Sequence, residues 1–311
     1  MKQTAITAIL LLLLISVLCS FVGCGKRPVL TNLSAQELFE RGKEEYNNKK
    51  YLRALEYFQA VVYNYPGESI IDTAQYYLGL AYFGAKEYEL AQVEFNRLIL
   101  NYPSSVYFQH AMFMKAVSFY EGTPHHYGLD QTDLQTSISQ FEDFIIDYPE
   151  SELLPQANEY LNRARTRMAK KSYNSAVVYH RMGAYESAEI YYQKVIDDYT
   201  DTEFAPMATY YIAEMAYKQR RYEEARQGFE GFMTVFPDHE LTEKAKERAP
   251  KAAFKSGESA YKQGEYGLAV ERLENYIQTY PNHDKVNDAR VLLGRIRQPA
   301  PAEVTEENAN S

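Results

Sequence analysis

The sequence predicts an all-α protein, built as a solenoid of helix–turn–helix repeats. An aromatic–proline step recurs at Tyr65-Pro66, Tyr102-Pro103, Tyr148-Pro149, Phe236-Pro237 and Tyr280-Pro281, with a degenerate copy at Tyr199-Thr200. Twelve positions before the second member of each step stands a small residue: Ala54, Ala91, Ser137, Ala188, Ala225 and Ala269. Proline ends a helix because it cannot donate the helical hydrogen bond, and small residues let two helices approach closely. Six matches in register therefore predict six helical hairpins.

A second series of small residues marks the first helix of each hairpin. It comprises Gly42, Gly79, Ala116, Ala176, Ala213 and Gly257. This spacing of small residues, aromatic residues and proline resembles the tetratricopeptide repeat, a helix–turn–helix unit of about 34 residues. The resemblance implies an α-solenoid whose first helices face the concave side. Ser34 and Glu37 form a capping box that opens the first helix, and we expect Ser69, Ser104, Ser151 and Thr202 to cap later ones.

Composition excludes several classes of function. The net charge of -9 argues against a nucleic-acid partner, because proteins that bind nucleic acid carry a basic patch. The only cysteines are Cys19 and Cys24, so the folded part has no disulfide framework and no cysteine-based zinc site. The adjacent His125 and His126 lie in a predicted loop without nearby acidic or cysteine ligands. We therefore predict no metal, no cofactor and no enzymatic activity.

The N-terminus predicts a lipid anchor. Residues 1–23 read as a signal peptide, with Lys2 before an apolar run that is short for a membrane-spanning helix. The stretch Phe21-Val22-Gly23-Cys24 resembles the bacterial lipobox, although Phe21 stands where that motif usually has an aliphatic residue. The resemblance implies acylation of Cys24, followed by a lipidated linker over residues 24–33. Because Gly25 replaces the aspartate that retains lipoproteins in the inner membrane, it also implies the periplasmic face of the outer membrane. An ordinary cleaved signal remains the alternative.

Departures from the repeat period divide the chain. Residues 34–150 form a predicted N-terminal sub-array of units one to three, with a loop inserted over Glu121–Asp133. Fourteen extra residues before Ala176 equal about four helical turns, so we expect one long helix from about Ser151 to Met182. Residues 151–297 form the C-terminal sub-array of units four to six and a cap helix. Residues 298–311 are a predicted disordered, acidic tail.

Aromatic residues flank the small residue of the first helices, three positions before it and four after it, at eleven of the twelve positions; the exception is His180 in unit four. A separation of seven places both on one helical stripe. In units one to three these residues are candidates for gripping a peptide in the concave groove, because aromatic rings offer large and rigid contact area: Phe39, Tyr46, Tyr76, Phe83, Phe113 and Tyr120. The alternative is that the same rings only pack adjacent helices together.

The order of these features along the chain narrows the choice among families of repeat proteins. A lipobox, Tyr-Pro-terminated repeats, an insertion in unit three and a lengthened helix into unit four resemble the BamD family, lipoproteins of the outer-membrane β-barrel assembly (BAM) machinery. The likeness is carried by GLDQTDLQTSISQFEDFIIDYPES and AKKSYNSAVVYHRMGAYESAEIYYQKVIDDYTDT and covers residues 20 to 237. A sixth repeat extends beyond the usual five.

The resemblance implies a non-catalytic periplasmic scaffold with three attachments. Its N-terminal repeats would receive the aromatic-ended C-terminal signals of unfolded outer-membrane proteins, and its C-terminal repeats would dock on a POTRA domain of a BamA-like β-barrel protein. The lipid would hold it to the outer membrane. Two other classes remain open. One is a lipoprotein of polysaccharide export, against which the absence of Trp counts. The other is a Tol-Pal-associated adaptor, which the lipobox disfavours.

Overall fold

A computed structural model describes residues 32–297, and within that range the chain forms 13 helices and no strand. The predicted all-α class is therefore confirmed. The signal peptide, Cys24 and the tail 298–311 lie outside the described residues. The helices are α1 (Ala35–Asn47), α2 (Tyr51–Asn64), α3 (Ile71–Gly84), α4 (Tyr88–Asn101), α5 (Phe108–Gly122), α6 (Thr132–Asp147), α7 (Leu154–Arg181), α8 (Tyr185–Asp198), α9 (Phe204–Lys218), α10 (Tyr222–Val235), α11 (Thr242–Lys262), α12 (Tyr266–Thr279) and α13 (Val286–Arg297).

The helices stack in antiparallel pairs that match the six predicted units. Each helix packs on the next one along the chain, from α1 on α2 through to α12 on α13. Some helices two apart along the chain also contact each other, and each of these contacts starts from a first helix: α1 to α3, α5 to α7, α7 to α9, and α11 to the cap helix α13. Equivalent helices approach most closely on the inner side of a curved stack, so the first helices form the inner face. This is the predicted solenoid.

Two local backbone features mark where helices begin: a capping box before α1, and a left-handed turn before the second helix of most units. The predicted capping box is present, with the Glu37 amide donating to Ser34 Oγ at 3.2 Å and the Ser34 amide donating to the Glu37 carboxylate at 2.9 Å. Two positions before the second helix, the backbone of five units enters the left-handed region. Glycine occupies that position in units four and six, whereas units one, two and five place Lys49, Lys86 and Arg220 there, at a cost of about 1 kcal/mol or more each.

The aromatic residue of each Tyr-Pro step caps the second helix. Tyr65 has φ -129° and ψ 50°, and Tyr199, which precedes Thr200 instead of proline, has nearly the same values of -137° and 45°. The helix therefore ends at this point with or without proline. The other predicted caps were wrong. The N-cap positions that follow are Ile70, Tyr107, Leu153 and Glu203, none of which makes a side-chain cap bond. Ser151 instead accepts the Leu153 amide at 3.3 Å within the turn.

The long helix predicted from Ser151 to Met182 is α7, with 28 residues. Its first half packs against unit three, where the Tyr160 ring contacts Phe113 and Phe141 at centroid distances of 5.9 and 5.6 Å. Its second half serves as the first helix of unit four, where Tyr173 contacts Tyr192 at 5.5 Å. The single helix α7 thus packs on unit three with its first half and forms the first helix of unit four with its second half.

Candidate functional site

The inner face of units one to three holds the six aromatic candidates, and the first series of rings packs within its own unit. Phe39, Tyr76 and Phe113 each meet a phenylalanine of the second helix. The centroid distances are 5.8 Å for Phe39–Phe58, 5.9 Å for Tyr76–Phe95 and 5.9 Å for Phe113–Phe141. Phe39, Tyr76 and Phe113 are only 4, 8 and 6% exposed. Burial accordingly raises the pKa of the Tyr76 phenol well above its ordinary value.

The second series of rings closes the turn between the two helices of a unit. Tyr46 meets Tyr51 at 5.6 Å and Phe83 meets Tyr88 at 5.3 Å, both edge to face. The same pair recurs in later units as His180–Tyr185, Tyr217–Tyr222 and Tyr261–Tyr266. The inserted loop removes this partner in unit three, and Tyr120 packs on Tyr160 of α7 at 5.4 Å instead.

A tyrosine of the following first helix joins the two series across the unit boundary. Tyr77 contacts Phe39 at 5.3 Å, Tyr46 at 5.9 Å and Phe58 at 5.7 Å. Tyr160 makes the equivalent contacts with Phe113, Tyr120 and Phe141. Aromatic pairs of this kind contribute about 0.5–1.5 kcal/mol each beyond their area burial.

Accessibility separates the six candidates into two groups. Phe39, Tyr76, Phe113 and Tyr120 are buried, whereas Tyr46 and Phe83 are half-buried and keep part of their surface on the inner face. A buried ring cannot contact a ligand without displacing its neighbours. For four of the six positions the structure therefore supports packing, which was the alternative left open by the sequence, and a peptide-binding role for the set stays a prediction.

Two arginines of α7 flank Tyr120 at the end of this surface. Their guanidinium carbons lie 5.1 Å (Arg163) and 5.0 Å (Arg167) from the ring centroid, within cation–π distance. Arg167 also donates to the carbonyls of Tyr120, Thr123 and Pro124 and so fixes the inserted loop. Arg163 is more exposed, and its nearest carboxylate, Glu159, is 4.0 Å away.

The described residues contain no cluster of three or more His, Cys, Asp or Glu side chains arranged to hold a metal ion. His125 and His126 are exposed in the inserted loop, where His126 Nδ1 accepts the Gly128 amide at 3.1 Å. None of the helices between residues 32 and 297 is both long enough and apolar enough to cross a membrane.

Sequence reasoning missed Tyr77, Tyr160 and the two arginines. A signal for Tyr160 was present, because removing the fourteen extra residues of α7 brings it to the position that Tyr77 holds in unit two. The arginines had no such signal, since their role depends on the loop that folds back onto α7.

The family model of YfiO, described as an outer membrane lipoprotein, matches residues 31–209 and 203–307. This chain belongs to the YfiO family. The second match includes the sixth repeat, so the likeness extends past residue 237, where the resemblance seen in the sequence ended. Membership in this family of outer membrane lipoproteins identifies the chain as a non-catalytic protein-interaction molecule.

Curated YfiO-like relatives are similar over most of the repeat region. The outer membrane protein assembly factor BamD of Rickettsia prowazekii is 25% identical over 191 residues, covering 61% of this chain and 75% of that protein. BamD of Caulobacter vibrioides is 22% identical over 203 residues, covering 64% of this chain and 66% of the relative, just under two thirds of its length.

Two solved structures of tetratricopeptide repeat proteins align with most of the chain. The TPR2AB domain of yeast Sti1, in its complex with pHSP90, is 14% identical, with a TM-score of 0.38 over 85% of this chain and 98% of that one. A repeat protein of Bacteroides fragilis is 15% identical, with a TM-score of 0.37 over 85% of this chain and 97% of that one.

Proposed function

We propose that this lipoprotein is an assembly factor of the BAM complex that helps insert unfolded β-barrel proteins into the outer membrane. The observation that carries the proposal is the family match over residues 31–307 together with relatives named outer membrane protein assembly factor BamD. The helical-hairpin solenoid supports it, because stacked repeats of this kind present extended binding surfaces. No feature of the described residues favours polysaccharide export or the Tol-Pal system.

The anchor in this proposal is an acylated Cys24. Mass spectrometry of the N-terminal peptide from purified envelopes tests it, with a mass increase of a diacylglycerol and an N-acyl chain on Cys24 as the expected result. The variant Cys24→Ala should stay unprocessed and lose the lipid. Cys19→Ala is the matched control, since Cys19 lies inside the predicted signal peptide, and it should be acylated normally.

The inner face of units one to three is the proposed site for the aromatic-ended C-terminal signals of client proteins. Tyr46 and Phe83 keep accessible surface there and would touch the peptide directly. Phe39 would support Tyr46 from beneath, and Tyr76 and Phe113 would support Phe83. Lys43, half-buried with its Nζ 5.9 Å from the Tyr77 ring, adds a cation to the same face.

The groove proposal is tested by fluorescence anisotropy with a labelled peptide that ends in Phe. Combined substitution Tyr46→Ala and Phe83→Ala should weaken binding at least tenfold, because interface hot spots cost about 2 kcal/mol or more when truncated. The control is Tyr217→Ala and Tyr261→Ala, which removes the equivalent rings of units five and six. Unchanged affinity in a folded Tyr46/Phe83 variant would remove this face from the function.

The proposed partner of the C-terminal sub-array is a BamA-like protein with POTRA domains. Affinity purification of the tagged protein from mildly solubilised envelopes should recover such a β-barrel protein in near-equal amount. A shortened chain that lacks units five and six should lose this partner while retaining peptide binding. Recovery of Tol-Pal or export components in its place would contradict the BAM assignment.

A further inference from the structure

One edge of the N-terminal sub-array exposes a row of apolar side chains at a single repeat position. Two residues before the aromatic cap of the second helix stand Tyr63, Leu100 and Ile146, which are 57, 70 and 75% exposed. Val106, in the turn after the second of these helices, is 82% exposed. The same position in units four to six holds Asp197, Thr234 and Gln278. The row is therefore confined to units one to three.

The N-terminal segment leaves the fold at this edge. The Tyr65 hydroxyl donates to the Leu33 carbonyl at 2.7 Å, which fixes the chain entry beside the end of α2, two residues from Tyr63. Leu33 is nine residues beyond Cys24. A fully extended chain spans at most about 3.6 Å per residue, so this edge lies within roughly 30 Å of a lipid attached to Cys24.

The charges around the row limit how deeply it could enter a bilayer. Glu68, Asp147 and Glu150 are exposed in or next to the turns of the same edge. Arg97 lies within the row and donates to the Tyr63 hydroxyl at 3.3 Å, but its charge is already paired with Glu94 at 2.9 Å. Acidic side chains are repelled by anionic headgroups and are costly in hydrocarbon. The surface suits the polar–apolar boundary of a zwitterionic bilayer.

We propose that this tether edge, formed by Tyr63, Leu100, Val106 and Ile146, rests on the bilayer surface once the chain is anchored at Cys24. The occupant is a zwitterionic lipid surface, because the acidic residues of this edge disfavour anionic lipid. The short tether keeps the edge at a high effective concentration near the bilayer, so weak interfacial contacts are sufficient to hold it there. The proposal rests on anchoring at Cys24 and is independent of the client and of any BAM partner. It gives the N-terminal sub-array a fixed orientation beneath the membrane.

The chain contains no Trp, which makes single tryptophans specific probes. Cys24 is the only cysteine in residues 24–311, so coupling to a maleimide phospholipid anchors that chain whether or not cells acylate it. We would place Leu100→Trp and Ile146→Trp, one at a time, on phosphatidylcholine vesicles containing lipids brominated near the headgroup end of the acyl chain. Thr234→Trp and Gln278→Trp are the matched controls at the same repeat position.

Fluorescence at positions 100 and 146 should be quenched at least twofold by brominated lipid, while positions 234 and 278 change little. Replacing a third of the lipid with phosphatidylglycerol should reduce that quenching, because Glu68, Asp147 and Glu150 would then face anionic headgroups. Equal quenching at all four positions, or quenching at none, would overturn the tether edge. Failure to find acylated Cys24 in cells would refute the proposed anchor and leave the vesicle result as the test of this surface.

Discussion

The N-terminal sub-array, residues 34–150, carries eight Lys and Arg against seventeen Asp and Glu, whereas residues 151–297 carry twenty-two of each sign. Ion pairs follow the same division. Between residues 34 and 150 the structure has two, Lys50 with Glu45 and Arg97 with Glu94, and both stay within one unit. The N-terminal units are therefore held to one another chiefly by aromatic packing.

In the C-terminal sub-array charged side chains also cross between units. Arg221 pairs with Glu189 of the preceding unit, and Arg248 reaches back to Glu214 at 3.1 Å. Arg165, on α7, binds Asp201 at 2.8 Å beyond the end of α8. One repeat framework can thus be joined by aromatic packing and neutral hydrogen-bond acceptors, as between the Arg97 guanidinium and the Tyr63 hydroxyl, or by aromatic packing together with ion pairs.

The largest effect should come from the helix that connects the two sub-arrays. Inserting one alanine after Lys170 turns the second half of α7 by about 100° relative to the first. Tyr160 and Tyr173 could then no longer pack on their own units together, so we expect several kcal/mol less stability and two unfolding transitions in place of one. Differential scanning calorimetry measures the loss of stability and the number of unfolding transitions. A seven-residue insertion, offset by only about 20°, should keep one transition; if it behaves like the single alanine, α7 does not couple the sub-arrays through its facing rings.

Close packing at the small residue of the first helix predicts the next largest effect. A Cβ added at Gly79 would lie 2.6 Å from Cε1 of Phe95, so the ring must shift. Gly79→Ala should cost about 1–3 kcal/mol of unfolding free energy through overpacking. Gly231, in α10 of the C-terminal sub-array, has nothing within 4 Å of the same added atom. Gly231→Ala should stabilise by up to about 1 kcal/mol, as measured by urea denaturation, and equal effects at both sites would contradict the packing argument.

Acid should weaken the C-terminal sub-array more than the N-terminal one. The hydrogen bond from Arg165 lowers the pKa of Asp201. Burial raises the pKa of Glu223, but hydrogen bonds from Arg226 and Ser256 and the charge of Arg226 outweigh it and leave the value below ordinary. A carboxyl whose folded pKa is depressed contributes stability above its unfolded pKa of about 4, and this is lost as the pH falls through the folded value. The C-terminal sub-array should therefore weaken below about pH 4.

The N-terminal sub-array should respond differently over the same range, because protonation relieves the repulsion among its excess carboxylates. Hydrogen–deuterium exchange compares the two sub-arrays, recorded at pH 6 and pH 3.5 at low salt and corrected for intrinsic exchange rates. We expect protection to fall more in α8–α12 than in α1–α6. The reverse order would show that the inter-unit ion pairs do not distinguish the two halves.

The smallest effect should follow Thr200→Pro, which gives unit four the step that the other five units have. Tyr199 already has the backbone angles of the residues that precede proline elsewhere. The substitution should stabilise by about 0.4–1 kcal/mol through the unfolded chain. Thermal unfolding measures the gain, and Thr200→Ala is the control. A loss of stability would show that Thr200 itself holds the turn.

The repeat spacing alone determined the fold class, the number of hairpins, the loop after α5 and the long helix α7. These follow from local chemistry, because a small residue, a helix stop and a helical period act within a few turns. The left-handed turn residues Lys49 and Lys86 carried no such signal, since the closing helices impose that conformation on residues that do not favour it.

Tertiary structure decided which rings are available. Tyr76 and Phe83 stand seven residues apart on one stripe and look equivalent in the sequence, yet Tyr76 is 8% exposed and Phe83 is half-buried. Tyr76 lies between Phe95 and the stacked ring of Tyr107 at 4.6 Å, whereas Phe83 lies at the end of its helix, against Tyr88. A stripe fixes the direction of a side chain, but only the neighbouring helix determines how much of that side chain remains uncovered.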